Sequence, residues 1–309
     1  MRQAYFIRSD GRFIVKKIGV IGNIGSWSSE HLADVVADRT GLRCLVDASR
    51  LTLDLHELQS PAGDVDLMTF DALLVKKIGP VYSPDCLDRL EMLRYLHHSG
   101  VRVFSSPDRL LGVLNRLACT ITLRLHNIPM PPTVITESPE EARRAVDRFR
   151  RAVFKPLFTS KARGMTVIES GADSEDAIER FREAGNTLMY IQKALELPGR
   201  DLGLMFVNGR YLGTYARVAG ADAWNTTSAA GGHYEAAEPD DDIIELARRA
   251  QTPFGLDFTS VDLAMTPDGP VVFEVSAFGG FRGMREAVGL DVAQHFVEHV
   301  LESLSHSEA

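Results

Sequence analysis

Two carboxylates on a late β-hairpin are the residues of this sequence most suited to chemistry. Asp262 and Glu274 each lie in a strongly apolar run, and the two runs flank the proline-initiated turn 266–270. With the turn centred on Asp268, the two acidic residues face each other with Cβ atoms about 5 Å apart. Carboxylates so placed repel unless a cation, a shared proton or a basic group lies between them. Magnesium suits the pair because it accepts a few carboxylate oxygens and completes its shell with water and phosphate. The alternative is a pair of outward-facing polar residues on a half-exposed ribbon.

Basic residues earlier in the chain could bind the phosphate that such a magnesium ion would contact. Lys155 stands alone among apolar residues, directly before a loop that contains Lys161 and Arg163. A lysine at a strand end reaches a phosphate as a point charge, and an arginine binds one in bidentate fashion. The alternative is a snorkelling lysine beside a solvated basic loop. Gln192 and Lys193 end the next apolar strand, where the backbone could contact a flat ligand.

Composition narrows the class of protein that contains these residues. The chain has 309 residues, which predicts two or three domains, and its net charge of −8 comes from 34 basic and 42 acidic side chains. Without a dense Lys/Arg block, this balance argues against binding of nucleic acid. Cys44, Cys86 and Cys119 form no C-x-x-C pair, which excludes a disulfide framework and indicates a reducing compartment. No apolar run approaches the roughly 18–20 residues that cross a bilayer, so we expect a cytoplasmic protein without a membrane segment.

The elements that must position these residues fall into α/β and α+β regions. Over about the first 110 residues, strands at 14–21, 43–46, 72–76 and 101–104 alternate with helices, which predicts a parallel sheet. One helix is expected over 108–126, ended by the proline-rich segment 127–132. A compact α+β unit follows as far as residue 195. Beyond Asp201 hairpins dominate, the first of them around Asn208-Gly209, a strong hairpin signal.

The ordered set of motifs resembles a known family. From about residue 115 to the C-terminus the chain resembles the ATP-grasp ligases, most closely the branch that includes ribosomal-protein S6 glutamate ligase. The motifs are Asn115-Arg116, Phe154-Lys155-Pro156, Lys161-Ala-Arg-Gly164, Ile191-Gln192-Lys193, Tyr215-Ala-Arg217, Ser260-Val-Asp262 and Phe273-Glu274-Val275-Ser276. The resemblance implies an ATP-grasp fold with an N-terminal Rossmann-like pre-ATP-grasp domain. The implied domains are 1–110, a small ATP-grasp subdomain at 111–195 and a C-terminal subdomain at 196–309.

The resemblance also implies where ATP binds. Lys155 would contact the α and β phosphates, and Arg116 stands where the family usually has a second phosphate-binding lysine. The loop 159–166 would fold over the triphosphate with its residues Lys161, Arg163 and Gly164. Main-chain atoms of four residues would border the adenine, namely Gln192, Lys193, Ala194 and Leu195. Glu196 or Asp201 would bind the ribose hydroxyls.

The remaining implied roles concern the metal and the reaction. Asp262, Glu274 and Ser276 would hold Mg²⁺ or Mn²⁺. Arg217 would lie near the γ-phosphate and the acyl group, and Arg282 would pair with a substrate carboxylate. The expected chemistry is ATP-dependent formation of an amide, through an acyl phosphate, from a carboxylate and an amine on a peptide, protein or small metabolite. The family is also compatible with a homo-oligomer. The alternatives are a non-catalytic or regulatory ATP-binding module and an ATP-grasp kinase.

Three residues depart from the family pattern. Ser276 replaces the asparagine of a metal-binding Glu-x-Asn motif, and serine has the shorter reach. Gly164 is the one glycine in a phosphate loop that usually has two or three. Gly203 replaces the arginine of an Asp-x-Arg motif that would serve an acidic substrate. The sequence therefore gives little support to glutamate as the added amino acid.

Overall fold

The N-terminal region is built on a parallel sheet, as predicted. In this computed structural model the described residues are 6–7, 13–14, 16–159, 162–220 and 231–306. The elements of this region are β1 (Phe6–Ile7), β2 (Phe13–Ile14), β3 (Ile18–Ile21), α1 (Trp27–Thr40), β4 (Leu45–Val46), β5 (Pro61–Ala62), β6 (Val65–Asp66), β7 (Ala72–Val75), α2 (Asp85–His98) and β8 (Arg102–Phe104). Strands β4, β3, β7 and β8 lie side by side in that order and are all parallel. Every residue of β3 and β7 is buried, because helices cover both faces of the sheet.

Two helices connect this region to the rest of the chain where the sequence predicted one. They are α3 (Pro107–Leu114) and α4 (Arg116–Leu125). The expectation of a single helix over 108–126 is wrong because Asn115 adopts an extended conformation and its side-chain oxygen accepts a hydrogen bond from the Ala118 N–H at 2.8 Å. An asparagine that caps a helix in this way begins a new one. Arg116 thus becomes the first residue of α4.

The middle region of the chain contains an antiparallel sheet with its own core. Its elements are β9 (Thr133–Thr136), α5 (Pro139–Phe149), β10 (Arg151–Lys155), β11 (Thr166–Glu169), α6 (Ser174–Glu183) and β12 (Met189–Lys193). The strand order is β11-β10-β12-β9, with every pair antiparallel. Helices α5 and α6 pack against the sheet through a cluster of buried residues that includes Phe154, Phe181 and Ile191.

The larger sheet has five antiparallel strands in the order β15-β14-β13-β16-β17. The strands and following helices are β13 (Arg200–Val207), β14 (Arg210–Val218), β15 (His233–Ala236), α7 (Asp241–Gln251), β16 (Phe258–Thr266), β17 (Gly269–Ser276), α8 (Arg282–Ala287) and α9 (Val292–His306). Asn208 and Gly209 join β13 to β14 with φ angles of 47° and 71°. Two positive φ angles are those of a type I′ turn, so the predicted hairpin is confirmed.

The domain ranges drawn from the sequence remain predictions, although the packing connects them. Helix α9 packs against α1, and buried side chains of both helices share a cluster with Ile18 and Val20 of β3. The last helix of the chain therefore covers one face of the N-terminal sheet. Within the described residues no helix is both long and apolar enough to span a bilayer.

One row of residues across the larger sheet positions the acidic pair. Tyr215 of β14 pairs with Gly203 of β13, Gly203 pairs with Asp262 of β16, and Asp262 pairs with Glu274 of β17. The predicted facing of the two carboxylates is confirmed. A β-bulge lies next to Asp262, and Phe273 is its extra residue. Between the bulge and the turn, the pairing of β16 with β17 is therefore shifted by one residue, which the sequence did not predict. Bulges of this kind redirect side chains beside functional sites.

The separate core of this middle region leads to a stability prediction. Phe154 is fully buried, and its ring lies edge-on to Phe181 with centroids 5.3 Å apart. We expect Phe154→Ala to lower the free energy of unfolding by about 3–5 kcal/mol in chemical denaturation, because a buried cavity replaces the ring. Amide exchange should accelerate mainly within 133–193. Leu125→Ala is the control, since that side chain is 74% exposed. Equal acceleration throughout the chain would contradict an independent core.

Candidate active site

A cleft of about 780 Å³ lies where the three parts of the chain meet. Its lining contains most of the polar groups identified above together with several others: Asn23, Ser26, Trp27 and Lys77 from the N-terminal region, Arg116 and Lys155 from the middle, and Asp201, Tyr215, Arg217, Asp262, Glu274, Ser276 and Arg282 from the larger sheet and the segment after it. The fold thus brings the predicted lysine and the predicted acidic pair to the walls of one cavity.

Lys155 is the last residue of β10 and projects into the cleft. Its Nζ atom donates a hydrogen bond to Gln192 Oε1 at 2.5 Å and lies 5.3 Å from the centre of the Phe273 ring. Burial, assisted by the nearby positive charge of Arg116, lowers the pKa of Lys155 from its ordinary 10.5 to about 7. An anion placed against Nζ would restore the charged form, so this position favours a phosphate.

Arg116 reaches the same space from the start of α4. Its guanidinium lies 3.7 Å from Glu274 Oε2 and donates to the backbone oxygens of Pro156 and Thr159, both at 3.4 Å. These contacts hold it beside the turn that follows Lys155. The capping role of Asn115 explains this placement, since the first residue of α4 points toward that turn.

Arg217 joins two carboxylates at the opposite wall. Its Nε and terminal nitrogen donate to the two oxygens of Asp201 at 3.1 and 2.6 Å, and the same terminal nitrogen lies 3.0 Å from Asp262 Oδ2. Arg217 and Asp201 are direct partners in the strand register, so the bidentate pair is a cross-strand contact. Any contact between Asp201 and a ribose hydroxyl, as the resemblance implied, would have to share these oxygens.

Asp262 carries an unfavourable charge in this arrangement. Burial raises its pKa from 3.8 to about 6, with repulsion from Asp201 and Glu274 added and attraction to Arg217 opposing. The side chain nevertheless keeps 27% of its surface exposed toward the cleft, and that of Glu274 keeps 41%. A divalent cation between the two carboxylates would remove this repulsion.

The donor set fits a hard cation that also binds phosphate. Ser276 lies two residues beyond Glu274 on β17, and its hydroxyl accepts a hydrogen bond from the Phe278 N–H at 3.0 Å. In the described part of the chain no group of three or more His, Cys, Asp or Glu side chains could hold a metal. Two carboxylates with a hydroxyl match Mg²⁺, which takes one or two protein carboxylates and obtains its other ligands from phosphate and water. The three predicted metal ligands therefore remain predictions that the chemistry of the site supports.

The predicted phosphate loop is described only in part. Lys161 lies outside the described residues. Arg163 and Gly164 form an exposed turn, while the neighbouring Ala162 and Met165 line the cleft. Gly164 has a φ angle of 68°, which favours glycine. The role of this loop stays a prediction.

Two main-chain N–H groups of the predicted adenine border already have hydrogen-bond partners. Gln192 is buried, and its amide donates to the Thr133 hydroxyl at 3.1 Å. The main-chain N–H groups of Lys193 and Ala194 already donate to the backbone oxygens of residues 132 and 151. An adenine base would therefore have to be contacted by other main-chain atoms of this segment. Leu195 is half-buried and Glu196 exposed, and their predicted roles are untested.

A pair of lysines is the main feature that the sequence reasoning missed. Lys76 and Lys77 follow β7 directly, at the carboxyl edge of the parallel sheet, where ligands commonly bind. Lys76 is fully buried and donates to the backbone oxygen of Gly279, while Lys77 lines the cleft and donates to that of Phe278. They hold the segment that follows Ser276. Two adjacent lysines after a buried parallel strand were the available signal.

Arg282 lies at the end of the same segment. Its guanidinium is 5.4 Å from the centre of the Trp27 ring and 3.5 Å from Glu286 Oε1. Its side chain is half exposed toward the cleft, at 51%. The residue can therefore meet a substrate anion, as the resemblance implied, although its contact with substrate stays a prediction.

Comparisons with known proteins identify the family of this chain. A protein-family profile described as the RimK-like ATP-grasp domain matches residues 114–300. The tetrahydromethanopterin:alpha-L-glutamate ligase of Methanosarcina acetivorans is 25% identical over 321 aligned positions, which cover 93% of this chain and 99% of that protein.

Solved structures show the same fold. The RimK domain protein ATP-grasp from Sphaerobacter thermophilus aligns with a TM-score of 0.71 at 22% identity, covering 91% of this chain and 98% of its own. The ATP-grasp ligase PsnB, complexed with a phosphomimetic variant of its minimal precursor, Mg and ADP, aligns with a TM-score of 0.70 at 18% identity, covering 94% and 99%.

The environment of Lys155 leads to a pH prediction. Because its pKa is lowered on folding, burying the charged lysine costs stability in full below pH 7, and the cost disappears as pH rises toward the ordinary value of 10.5. The stability of the wild type relative to Lys155→Met should therefore increase by on the order of 3 kcal/mol between pH 7 and about pH 9.5. Denaturant titrations at several pH values measure this difference. Lys193→Met, at an exposed site, is the control, and a flat difference for Lys155→Met would contradict the lowered pKa.

Proposed function

The chain belongs to the family of RimK-like ATP-grasp domains, and from that premise we propose that it joins a carboxylate to an amine with conversion of ATP to ADP and phosphate. The observation that carries the proposal is the convergence on one cleft of two basic residues, Lys155 and Arg116, with the paired carboxylates Asp262 and Glu274. Positive groups facing a divalent-cation site are the arrangement that a triphosphate needs.

Each wall has a distinct task in this proposal. Lys155 and Arg116 bind phosphate oxygens, and Lys155 gains its proton as the anion arrives. Asp262, Glu274 and Ser276 would hold Mg²⁺, or Mn²⁺ in its place, and that ion would supply positive charge to neutralise the phosphates. Arg217 keeps Asp262 oriented toward the cleft. Its terminal nitrogen lies 3.0 Å from the Asp262 carboxylate, and Asp201 holds the guanidinium group of Arg217 in place.

The reaction requires no nucleophilic side chain. A carboxylate oxygen of the substrate attacks the γ-phosphorus, the bond between that phosphorus and the oxygen of ADP breaks, and an acyl phosphate forms. The amine then attacks the acyl carbon, phosphate leaves, and the amine loses a proton as the amide forms. We assign to Arg217 and Arg282 the role of stabilising the negative charge on the reacting groups. Positioning and charge neutralisation supply most of the acceleration in phosphoryl transfer, which agrees with a cleft lined by lysine and arginine.

The substrates belong to the class of small molecules or peptides that carry a carboxylate and an amine. Two relatives support substrates of either size. The Methanosarcina acetivorans ligase is named for the small molecule tetrahydromethanopterin, and the PsnB structure contains a precursor. Glutamate, named in the first relative, is less well supported here because Gly203 occupies the position expected for an arginine. Nucleic acid is not a proposed partner. The three cysteines remain free thiols, which fits a reaction in the cytoplasm.

One observation favours a second candidate, a module that binds nucleotide without turning it over. Arg217 already lies 3.0 Å from Asp262 and so competes with a metal for that carboxylate. A screen for ADP release with carboxylates and amines separates the two, because the ligase requires both substrates. A kinase would instead yield a stable phosphorylated product with no amine requirement.

The carboxylate pair provides the direct mutational test. Asp262→Asn and Glu274→Gln should each reduce the rate of ADP formation by about a hundredfold or more, because each removes a negative charge from the proposed metal site. Asp268→Asn makes the same kind of change at the exposed turn of the same hairpin and should retain full activity. Circular dichroism would check that the variants are folded. Full activity in both site variants would contradict the metal assignment.

Ser276 leads to a prediction about metal affinity. Its hydroxyl is short and already accepts a hydrogen bond from the Phe278 N–H. An asparagine carbonyl reaches further, so Ser276→Asn should lower the Mg²⁺ concentration for half-maximal ADP formation several-fold. A titration of activity with Mg²⁺ measures it. An unchanged midpoint would show that position 276 does not contact the metal.

A further inference from the structure

Three aromatic side chains in the cleft have no role in the reaction described above. Trp27, Tyr215 and Tyr234 line the cavity and belong to one hydrophobic cluster, in which Tyr215 is buried and the other two are partly exposed. The rings of Tyr215 and Tyr234 meet edge to face with centroids 5.4 Å apart. Trp27 is the first residue of α1, so the N-terminal region supplies part of this aromatic surface.

The ring of Tyr215 is held by two glycines from different segments. A Cβ atom added at Gly203 would lie 2.6 Å from the ring carbon Cζ, and one added at Gly283 would lie 2.5 Å from Cε2. Neither glycine has a positive φ angle, so the close approach of the ring, and not the backbone conformation, requires glycine at both positions. Tyr215 therefore fills the space into which a side chain at position 203 would project.

Charge near this ring disfavours a second carboxylate on the substrate. Gly203 lies between Tyr215 and Asp262 in the cross-sheet row. Arg217 projects from the same face of the sheet as this row, and it is already paired with Asp201 and Asp262. An acidic group placed against Tyr215 would therefore approach the carboxylates of Asp201 and Asp262, which already share Arg217. Arg282, stacked over Trp27, is positioned to pair with one substrate carboxylate at the edge of the aromatic surface.

We propose that Trp27, Tyr215 and Tyr234 form the subsite for an uncharged aromatic or apolar body of the carboxylate substrate. Tyr215, fixed by Gly203 and Gly283, determines its shape and excludes substrates with a second carboxylate. The inference rests on the proposed function, whose substrate class it narrows. Aromatic surfaces of this kind bind flat and apolar groups through buried area and edge-to-face contacts.

Two matched probes test the subsite directly. 3-Phenylpropanoate and succinate each carry a carboxylate on two methylene groups, and they differ in ending with a phenyl ring or a second carboxylate. In titration calorimetry with wild-type protein, ADP and Mg²⁺, phenylpropanoate should bind about tenfold more tightly than succinate. Equal or tighter binding of succinate, or binding of neither probe, would overturn the proposal.

Variants of Tyr215 test whether its ring contributes to phenylpropanoate binding. Tyr215→Leu keeps an apolar side chain but removes the ring, and it should weaken phenylpropanoate binding about fivefold while the affinity for ADP stays unchanged. Tyr211→Leu removes a tyrosine from the same strand and is the control, since Tyr211 packs in a different cluster. Unchanged phenylpropanoate affinity in Tyr215→Leu would overturn the assignment.

The two glycine contacts predict non-additive mutations. Gly203→Ala should lower both the melting temperature and phenylpropanoate affinity, because the added methyl group displaces the ring. The same substitution made in a Tyr215→Ala or Tyr215→Leu background should produce a much smaller drop in melting temperature. Gly171→Ala is the control, since a Cβ atom there would meet nothing within 4 Å. Equal losses of melting temperature in both backgrounds would contradict the proposed contact between position 203 and the ring of Tyr215.

Separate titrations distinguish the subsite from the proposed function. Binding of phenylpropanoate in preference to succinate, together with failure of ADP and Mg²⁺ to bind, would reject the ligase proposal and leave the aromatic subsite standing. Binding of ADP and Mg²⁺ with a preference for succinate would reject the subsite and leave the ligase proposal intact.

Discussion

Repulsion among carboxylates is the constraint on which the rest of this structure depends. Asp201, Asp262 and Glu274 project from neighbouring strands onto one face of a sheet, and burial raises the pKa of Asp262 to about 6. Arg217 binds the first two, and Arg116 approaches the third from the start of α4. The protein thus maintains a costly concentration of negative charge that a divalent cation would relieve. Groups so perturbed within a cleft are typical of functional sites.

The backbone around the site serves this arrangement. The bulge beside Asp262 frees Phe273 from the strand register, and its ring then lies under Lys155. Asn115 divides two helices and aims Arg116 at the turn after Lys155. Lys76 and Lys77 attach the segment that follows Ser276 to the N-terminal sheet. Small irregularities in regular elements therefore bring groups from three parts of the chain to one cavity.

The sequence predicted the parts of the site that depend on local pattern. A hairpin turn centred on Asp268 predicted the pairing of Asp262 with Glu274. The structure reaches the same pairing differently, since Thr266 pairs with Gly269 across a two-residue turn and the bulge at Phe273 then brings Asp262 opposite Glu274. The sequence did not predict this bulge, because no local pattern marks the extra residue. The pairing of Arg217 with Asp201 was also missed, as was the enclosure of Tyr215 by Gly203 and Gly283. Such contacts join segments separated by many residues, and no periodicity encodes them.

A crystal structure with a non-hydrolysable ATP analogue and Mg²⁺ tests the central claim most directly. The account predicts triphosphate oxygens within hydrogen-bonding distance of Lys155 Nζ and the Arg116 guanidinium. It also predicts Mg²⁺ bridging those oxygens to Asp262 and Glu274 at about 2.0–2.1 Å. Density for the nucleotide outside this cleft, or a bound nucleotide with Asp262 contacted by Arg217 alone and no metal on either carboxylate, would contradict it.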